Sequence, residues 1–245
     1  MNAILGAAYG AVVYLVFLVS FVYAIPFLGD ILVRKTVDSG PAGAALPSAV
    51  IDMLLLGVFA IQHSVMARPA FKRAWTRIVP RSLERSTYVL AASLALALVY
   101  WQWRPLPASI WTVANPAAAT ILTSLFFAGF GIVLISTFLI DHFELFGLRQ
   151  SWGPVLKLPE HEASFKSPSL YRLVRHPIYL GFVLGMWATP NMTVGHLLFA
   201  AGATGYILVG IWFEERDLIG VFGDRYRQYR AEVSMLIPWP RRRPG

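Results

Sequence analysis

Long apolar segments constrain this chain more than any other feature of its sequence. A membrane-spanning helix needs about 20 mainly apolar residues, and such runs occupy residues 5–33, 49–66, 88–103, 116–140 and 194–213, with a shorter run at 178–189. Hydrophobic residues make up 57% of the chain and charged residues only 14%, which is too apolar for an ordinary soluble domain. We therefore predict an all-α integral membrane protein with about five to six transmembrane helices, the lipid bilayer being its main surroundings.

The positive charges lie between the apolar runs rather than within them. Six basic residues against one acid, Glu84, fall within residues 67–87, which predicts a cytoplasmic segment by the positive-inside rule. This placement explains the net charge of +8 by membrane topology, so we do not expect nucleic-acid binding. The N-terminal run lacks a preceding basic region and a clean cleavage pattern, so it is interpreted as a retained span rather than a signal peptide.

We expect one membrane domain over residues 1–245. Residues 1–140 supply four spans, and residues 141–245 supply a polar loop, the C-terminal helical hairpin 178–213 and a basic tail. Trp152-Gly153-Pro154 is expected to interrupt any regular helix in the loop. Gly129 and Gly131 in the fourth span are expected to permit close helix packing.

Several chemistries are excluded or weakened by residue counts. The chain has no cysteine, which excludes disulfides, thiolate catalysis and cysteine-bound metal. Its five histidines are scattered and form no His-x-x-x-His pair, so a di-iron hydroxylase is excluded and no metal site is predicted. A transporter stays an alternative, although the sparse charges within the spans offer no evident ion path.

Two polar clusters lie at opposite ends of the C-terminal hairpin, which returns them to one membrane face. They are Arg175-His176-Pro177 and Glu214-Glu215-Arg216-Asp217. Ion pairing at helix ends is the simple explanation. Nearby aromatic residues favour a site instead, because aromatic faces and carboxylates together suit a cofactor with a planar base and a cationic centre.

The spacing of these clusters resembles a known family. Arg-His-Pro-x-Tyr-x-Gly at 175–181, Glu214-Glu215, and Phe-Gly-x-x-Tyr-x-x-Tyr at 222–229 are similar to the C-terminal signature of the isoprenylcysteine carboxyl methyltransferase and NnrU-like membrane methyltransferases. The resemblance implies a cytoplasmic pocket for S-adenosyl-L-methionine without a Rossmann domain. It implies the following cofactor-binding residues: Gln150, Ser164, Phe165, Lys166, Tyr171, Arg175, His176, Tyr179, Glu214 and Glu215.

A closer resemblance extends upstream. Residues 62–64, 143–150 and 187–200 are similar to the bacterial methanethiol S-methyltransferases, which implies a bacterial inner-membrane enzyme that methylates a small thiol, most simply methanethiol to dimethyl sulfide. The prenylcysteine enzymes carry an arginine about one turn before the matching glutamate, where it meets a substrate carboxylate. This chain has Gly210 and Ile211 there, as expected for an acceptor without a carboxylate.

The expected mechanism is in-line transfer of the sulfonium methyl group to a thiol or thiolate, for which alignment and water exclusion supply much of the rate. Candidate bases are His142 and Glu144, with His63 behind them, although each also suits a simple helix-end role. Another thiol or lipid-soluble acceptor is an alternative. A nicotinamide-dependent membrane reductase is a second alternative, since sterol reductases have a similar Arg-His-x-x-Tyr ending.

Overall fold

The protein is helical and rich in segments that can cross a membrane. The computed structural model describes residues 2–41, 43–159 and 165–239. In this part of the chain five helices are long and apolar enough to span a bilayer, and a sixth apolar helix is short, which confirms the predicted fold class. The five are α1 (Ala3–Gly29), α2 (Ala45–Ala67), α4 (Arg81–Gln102), α5 (Pro116–Ile140) and α10 (Val194–Phe222).

Shorter elements connect the long helices. They are α3 (Pro69–Trp75), α6 (His142–Leu145), α7 (Leu148–Leu156), α8 (Leu170–Leu173), α9 (Pro177–Trp187) and α11 (Asp224–Glu232), with strands β1 (Ser109–Thr112) and β2 (Asn191–Thr193). The two strands form an antiparallel pair in which Thr112 lies opposite Asn191, an element that the helical periodicity did not predict.

Most predicted spans agree with the helices to within a few residues, and the fourth agrees at both ends. Two expectations are wrong. Helix α7 continues through Trp152, Gly153 and Pro154 instead of breaking there, and it ends only where Lys157 adopts a left-handed conformation. Helix α10 continues to Phe222, well beyond the predicted end at residue 213.

The chain divides into two compact units. Unit 1 comprises Met1–Thr112, Asp141–Glu162 and Asn191–Phe199, and unit 2 comprises Val113–Ile140, Ala163–Pro190 and Ala200–Gly245. The expectation of one domain with a boundary near residue 140 stays a prediction.

Unit 1 is built on close contacts of α1 with α4 and α7. A Cβ atom added to Gly10 would lie 1.9 Å from Ser151 Oγ, so this glycine lets α7 approach α1 closely. Gly147 precedes α7 with φ of 82°, a conformation that favours glycine. Its carbonyl accepts a hydrogen bond from Ser86 Oγ at 3.0 Å, which fixes the start of α7 against α4.

Unit 2 contains the packing of α5 against α9. A Cβ atom on Gly129 would lie 2.6 Å from the Gly181 carbonyl oxygen, and one on Gly181 would lie 2.6 Å from the Gly129 oxygen. The two backbones therefore meet without intervening side chains, as small residues permit in membrane helices. Around Gly131, by contrast, an added Cβ would meet no atom of the described chain within 4 Å, so the predicted close packing is correct for Gly129 only.

Candidate active site

Arg175 lies at the centre of a buried polar cluster in unit 2. It follows α8, and its backbone N–H donates to the Ser234 carbonyl at 2.8 Å, which holds the segment before α9 against the chain after α11. Its Nε donates to Glu215 Oε1 at 2.7 Å, and its Nη1 donates to the carbonyls of Arg230 at 3.0 Å and Val233 at 2.5 Å. Every one of these contacts fixes the guanidinium to α10, α11 or the following chain.

His176 joins the same carboxylate. Its Nε2 lies 3.0 Å from Glu215 Oε1, and Arg230 Nε lies 3.4 Å from Glu215 Oε2. Glu215 thus faces three basic side chains while only 10% of its side chain is exposed. A buried carboxylate requires such compensation, so Glu215 has a clear structural role in joining α9, α10 and α11.

Glu214 has a different environment from its neighbour. Its side chain is 43% exposed, and Tyr179 Oη donates to its Oε2 at 2.8 Å. His176 Nδ1 lies 3.9 Å from the same oxygen. Glu214 therefore keeps a solvent-accessible carboxylate at the edge of the cluster, where it can accept further hydrogen bonds.

Tyrosine side chains complete the cluster from α8 and α11. Tyr171 is buried, and its carbonyl accepts a 2.5 Å hydrogen bond from Tyr229 Oη. Burial, and secondarily Glu214, raises the pKa of Tyr171 well above its usual range. Burial also raises the pKa of Tyr229 to about 12, so both phenols stay protonated and act as hydrogen-bond donors at neutral pH.

Tyr226 has the least satisfied polar group in this cluster. Its side chain is 1% exposed, yet its hydroxyl has no hydrogen-bond partner among residues 2–41, 43–159 and 165–239. Burial, followed by the charge of Glu215, raises its pKa. The Phe165 ring contacts the Tyr226 ring edge-on, with centroids 6.1 Å apart, and Arg225 stacks over Phe165 at 5.1 Å. A buried phenol hydroxyl without a hydrogen-bond partner destabilises the folded state, so this position suits contact with a ligand.

The predicted base candidates lie in unit 1. His142 is buried at the start of α6, and its Nε2 lies 2.8 Å from Tyr14 Oη. Burial lowers the pKa of His142 against the opposing charge of Asp141, so the imidazole is neutral at pH 7 and is able to accept a proton. The rings of Phe146 and Phe143 contact it edge-on, which makes its surroundings mainly apolar.

Glu144 and Gln150 are close to each other. The Glu144 N–H donates to Asp141 Oδ1 at 3.1 Å, and Gln150 Nε2 donates to the Glu144 carbonyl at 3.1 Å. Gln150 Oε1 is buried and has no partner in the described chain. Both residues thus help to hold the α6–α7 connection, and the amide oxygen of Gln150 remains available to a donor.

His63 lies on α2 and pairs with Tyr88 of α4. His63 Nε2 and Tyr88 Oη are 2.8 Å apart, Phe59 stacks on the imidazole with centroids 5.3 Å apart, and Arg85 lies over the Tyr88 ring at 5.2 Å. Within unit 1, Arg85 also donates to the Leu145 carbonyl at 2.8 Å, so the His63 pair is connected through α4 to the end of α6.

The sequence identified most charged members of these clusters but missed their partners. Arg230, Tyr14 and Tyr88 were not named as site residues, because no motif marks them and only the tertiary fold brings them to Glu215, His142 and His63. Lys166 is exposed, and Ser164 lies outside the described residues. Within the described ranges, no group of three His, Asp or Glu residues could hold a metal ion.

Comparison with known proteins identifies the family. The family model described as NnrU protein matches residues 53–237. The chain belongs to the NnrU family. A relative named Methanethiol S-methyltransferase, from Mycobacterium tuberculosis, is 60% identical over 242 residues that cover 99% of each chain.

Further relatives extend this likeness. Methanethiol S-methyltransferase 1 of Bradyrhizobium diazoefficiens is 54% identical and covers 95% of this chain and 82% of its own length. Nurim of Mus musculus is 36% identical over 71% of this chain and 69% of its own length. The relatives named methanethiol S-methyltransferase confirm the prediction of a methyltransferase. No solved structure matches.

Proposed function

We propose that this chain is a methanethiol S-methyltransferase, an integral membrane enzyme that uses S-adenosyl-L-methionine and forms dimethyl sulfide. The observation that carries the proposal is the 60% identity to a protein of that name over 99% of both chains. The arginine-rich segment at residues 67–87 further supports an orientation with the active site facing the cytoplasm of a bacterial inner membrane.

The residues of unit 2 fit the cofactor chemically. The accessible carboxylate of Glu214 suits an ammonium group or ribose hydroxyls. The hydroxyl of Tyr226 offers a buried hydrogen-bond donor that has no partner among the described residues. Phe165 and its aromatic neighbours supply apolar faces for a purine. When bound, S-adenosyl-L-methionine supplies an electrophilic methyl group on a sulfonium sulfur.

The remaining cluster residues hold the binding groups in place. Arg175 and His176 fix Glu215, and Glu215 sits beside Glu214 on α10, so the ion pair sets the rotation and depth of the helix that presents Glu214. Tyr179 Oη orients the Glu214 carboxylate from α9. Such preorganisation lowers the entropy cost of aligning a donor methyl group with its acceptor.

His142 is the proposed base for the thiol. The thiolate is the reactive nucleophile, and a neutral imidazole can take the thiol proton before or during the attack. The hydrogen bond between Tyr14 and Nε2 orients the ring, and the apolar surroundings disfavour accumulated charge. Glu144 and His63 remain candidates for the same role.

The direct test is a product assay with purified protein in detergent micelles. Methyl-labelled S-adenosyl-L-methionine and methanethiol should yield labelled dimethyl sulfide in the headspace, measured by gas chromatography. Cofactor binding without product would reject methanethiol as the acceptor. Binding of NADPH instead of S-adenosylhomocysteine would favour a reductase.

The assignment of the cofactor residues has its own test. The variants Glu214→Ala and His176→Ala should insert in the membrane and lose S-adenosylhomocysteine binding, measured by isothermal titration. Glu232→Ala is the matched control, because Glu232 is an exposed acid on α11. Unchanged binding in both cluster variants would move the cofactor site elsewhere.

A further inference from the structure

A cavity that is partly open to the surface lies in unit 1 at the C-terminal end of α4. Its volume is about 290 Å³, and it is lined by Lys35, Pro41, Trp101, Gln102, Trp103 and Arg104. Arg85 of α4 donates a hydrogen bond to Leu145 at the end of α6, the helix that begins with the proposed base His142. Arg85 lies 16 residues before Trp101. At 1.5 Å per residue this is about 24 Å along the helix, so within unit 1 the cavity is distinct from the surroundings of His142.

Positive charge is in excess in this cavity. Lys35 and Arg104 both line it, and Asp52 is a carboxylate whose charge acts on both of them. One Asp52 oxygen accepts the Arg104 backbone N–H at 2.8 Å. The carboxylate therefore offsets one of the two cations, and the pair keeps a net charge of about +1.

The two cations also disturb each other. Burial, and then the charge of Arg104, lowers the pKa of Lys35. Lys35 Nζ donates to the Trp101 carbonyl in the last turn of α4, which uses one of its three donors. An anion in the cavity would relieve this repulsion and would accept the remaining donors.

Large apolar side chains are exposed in the cavity lining and in the neighbouring sequence. The Trp101 side chain is 70% exposed, and Leu32 and Leu46, which flank the Lys35 segment in sequence, are 95% and 76% exposed. Tryptophan is enriched where a protein meets the interface of a bilayer, and lysine and arginine side chains near a membrane surface attract anionic lipid head groups. The surroundings thus suit a group that is anionic at one end and apolar at the other.

We propose that this cavity binds a phosphate group through Lys35 and Arg104, carried either by an anionic lipid head group or by free phosphate. It lies at the other end of α2 and α4 from the arginine-rich segment 67–87, so its occupant would act at the membrane surface away from that segment. A bound lipid here would tether the loop that connects α1 and α2 to the end of α4.

Native mass spectrometry of the full-length protein in detergent tests this proposal. The probes are phosphatidylglycerol and phosphatidylcholine with identical acyl chains, each added at the same concentration. Wild-type protein should retain phosphatidylglycerol preferentially. Lys35→Gln and Arg104→Gln should each reduce that preference about fivefold, as expected for one basic contact.

Arg34→Gln is the matched control, because Arg34 is the exposed neighbour of Lys35 and does not line the cavity. It should leave the preference unchanged. An equal loss in Arg34→Gln, or no loss in either cavity variant, would overturn the proposal. Displacement of the lipid by millimolar inorganic phosphate would assign the site to free phosphate, whereas retention of the lipid would assign it to the head group. If Lys35→Gln unfolds, Lys35→Arg should keep both the fold and the preference; if Arg104→Gln unfolds, Arg104→Lys should do so.

Discussion

The two adjacent glutamates of α10 should respond oppositely to the same substitution. Replacing Glu215 by Gln keeps the volume but removes the charge that compensates Arg175 and His176. Loss of one partner of a buried ion pair costs about 3–5 kcal/mol. Because Arg175 keeps its bonds to two backbone carbonyls, we expect a loss near the lower end, about 3 kcal/mol.

A loss of that size is measurable by thermal unfolding in detergent, followed by tryptophan fluorescence. For a chain of this length about 1 kcal/mol shifts Tm by about 2–4 °C, so Glu215→Gln should lower Tm by about 6–12 °C. Glu214→Gln changes a side chain that is 43% exposed and whose amide oxygen can still accept from Tyr179. Its stability loss should be below about 1 kcal/mol.

Binding should show the reverse order. Hydrogen bonds to a charged group contribute about 1.5–3 kcal/mol, so Glu214→Gln should weaken binding of S-adenosylhomocysteine roughly ten- to hundredfold. Both variants are titrated well below their Tm so that unfolding does not enter the comparison. Equal Tm losses in the two variants, or a Tm of Glu215→Gln within about 2 °C of wild type, would refute this division of roles.

Three further substitutions test other parts of the structure. Gly181→Ala should destabilise the α5–α9 packing by about 1–3 kcal/mol, because the new Cβ would lie 2.6 Å from the Gly129 oxygen. Gly131→Ala is the control, and an equal loss of Tm in that variant would contradict the packing argument. The pKa of His142 in the folded protein lies below its unfolded value, so its stabilising effect is complete above about pH 6.5 and is lost as pH falls below that value. His142→Gln should therefore make Tm less sensitive to acid between pH 7.5 and 5.5. An unchanged slope of Tm against pH would show that His142 does not titrate as inferred. Tyr226→Phe removes a hydroxyl that has no partner among the described residues, so Tm should stay constant or rise while the Kd for S-adenosylhomocysteine increases several-fold. A lower Tm would mean that the fold itself uses the hydroxyl.

The sequence predicts the apolar spans well because their boundaries depend on local composition. Residues 116–140, between two polar segments, match α5 at both ends. The end of α10 was misplaced because Glu214 and Glu215 look like an interfacial stop. The helix continues through them since basic residues from α9 and α11 compensate Glu215, and those contacts depend on tertiary structure.

Helix α7 shows a second limit of local patterns. Glycine and proline at 153 and 154 favour a break, yet the helix persists for two more residues. The Gly10 contact brings Ser151 directly against α1, so packing of unit 1 favours a helical backbone here. Single-residue propensities of about 1–3 kcal/mol are readily outweighed by such burial.

The candidate site was partly visible in the sequence for a geometric reason. Arg175-His176 immediately precede α9, and Glu214-Glu215 lie in the last third of α10, so a hairpin brings the pairs together without further information. Partners from α11 and from α1 have no such constraint. Arg230 and Tyr14 therefore become identifiable only when the fold is known.

The glutamate pair also shows why a motif does not assign roles by itself. Neighbouring residues on an α-helix differ by about 100° in direction, so Glu214 and Glu215, although they share His176 as a partner, otherwise make different contacts. One direction meets Arg175, His176 and Arg230, while the other meets Tyr179 and solvent. Two acids that are equivalent in the sequence thus become a buried structural anion and an accessible carboxylate. Because the first fixes the helix that carries the second, cofactor binding in the proposed enzyme depends on both residues, but through different physical effects.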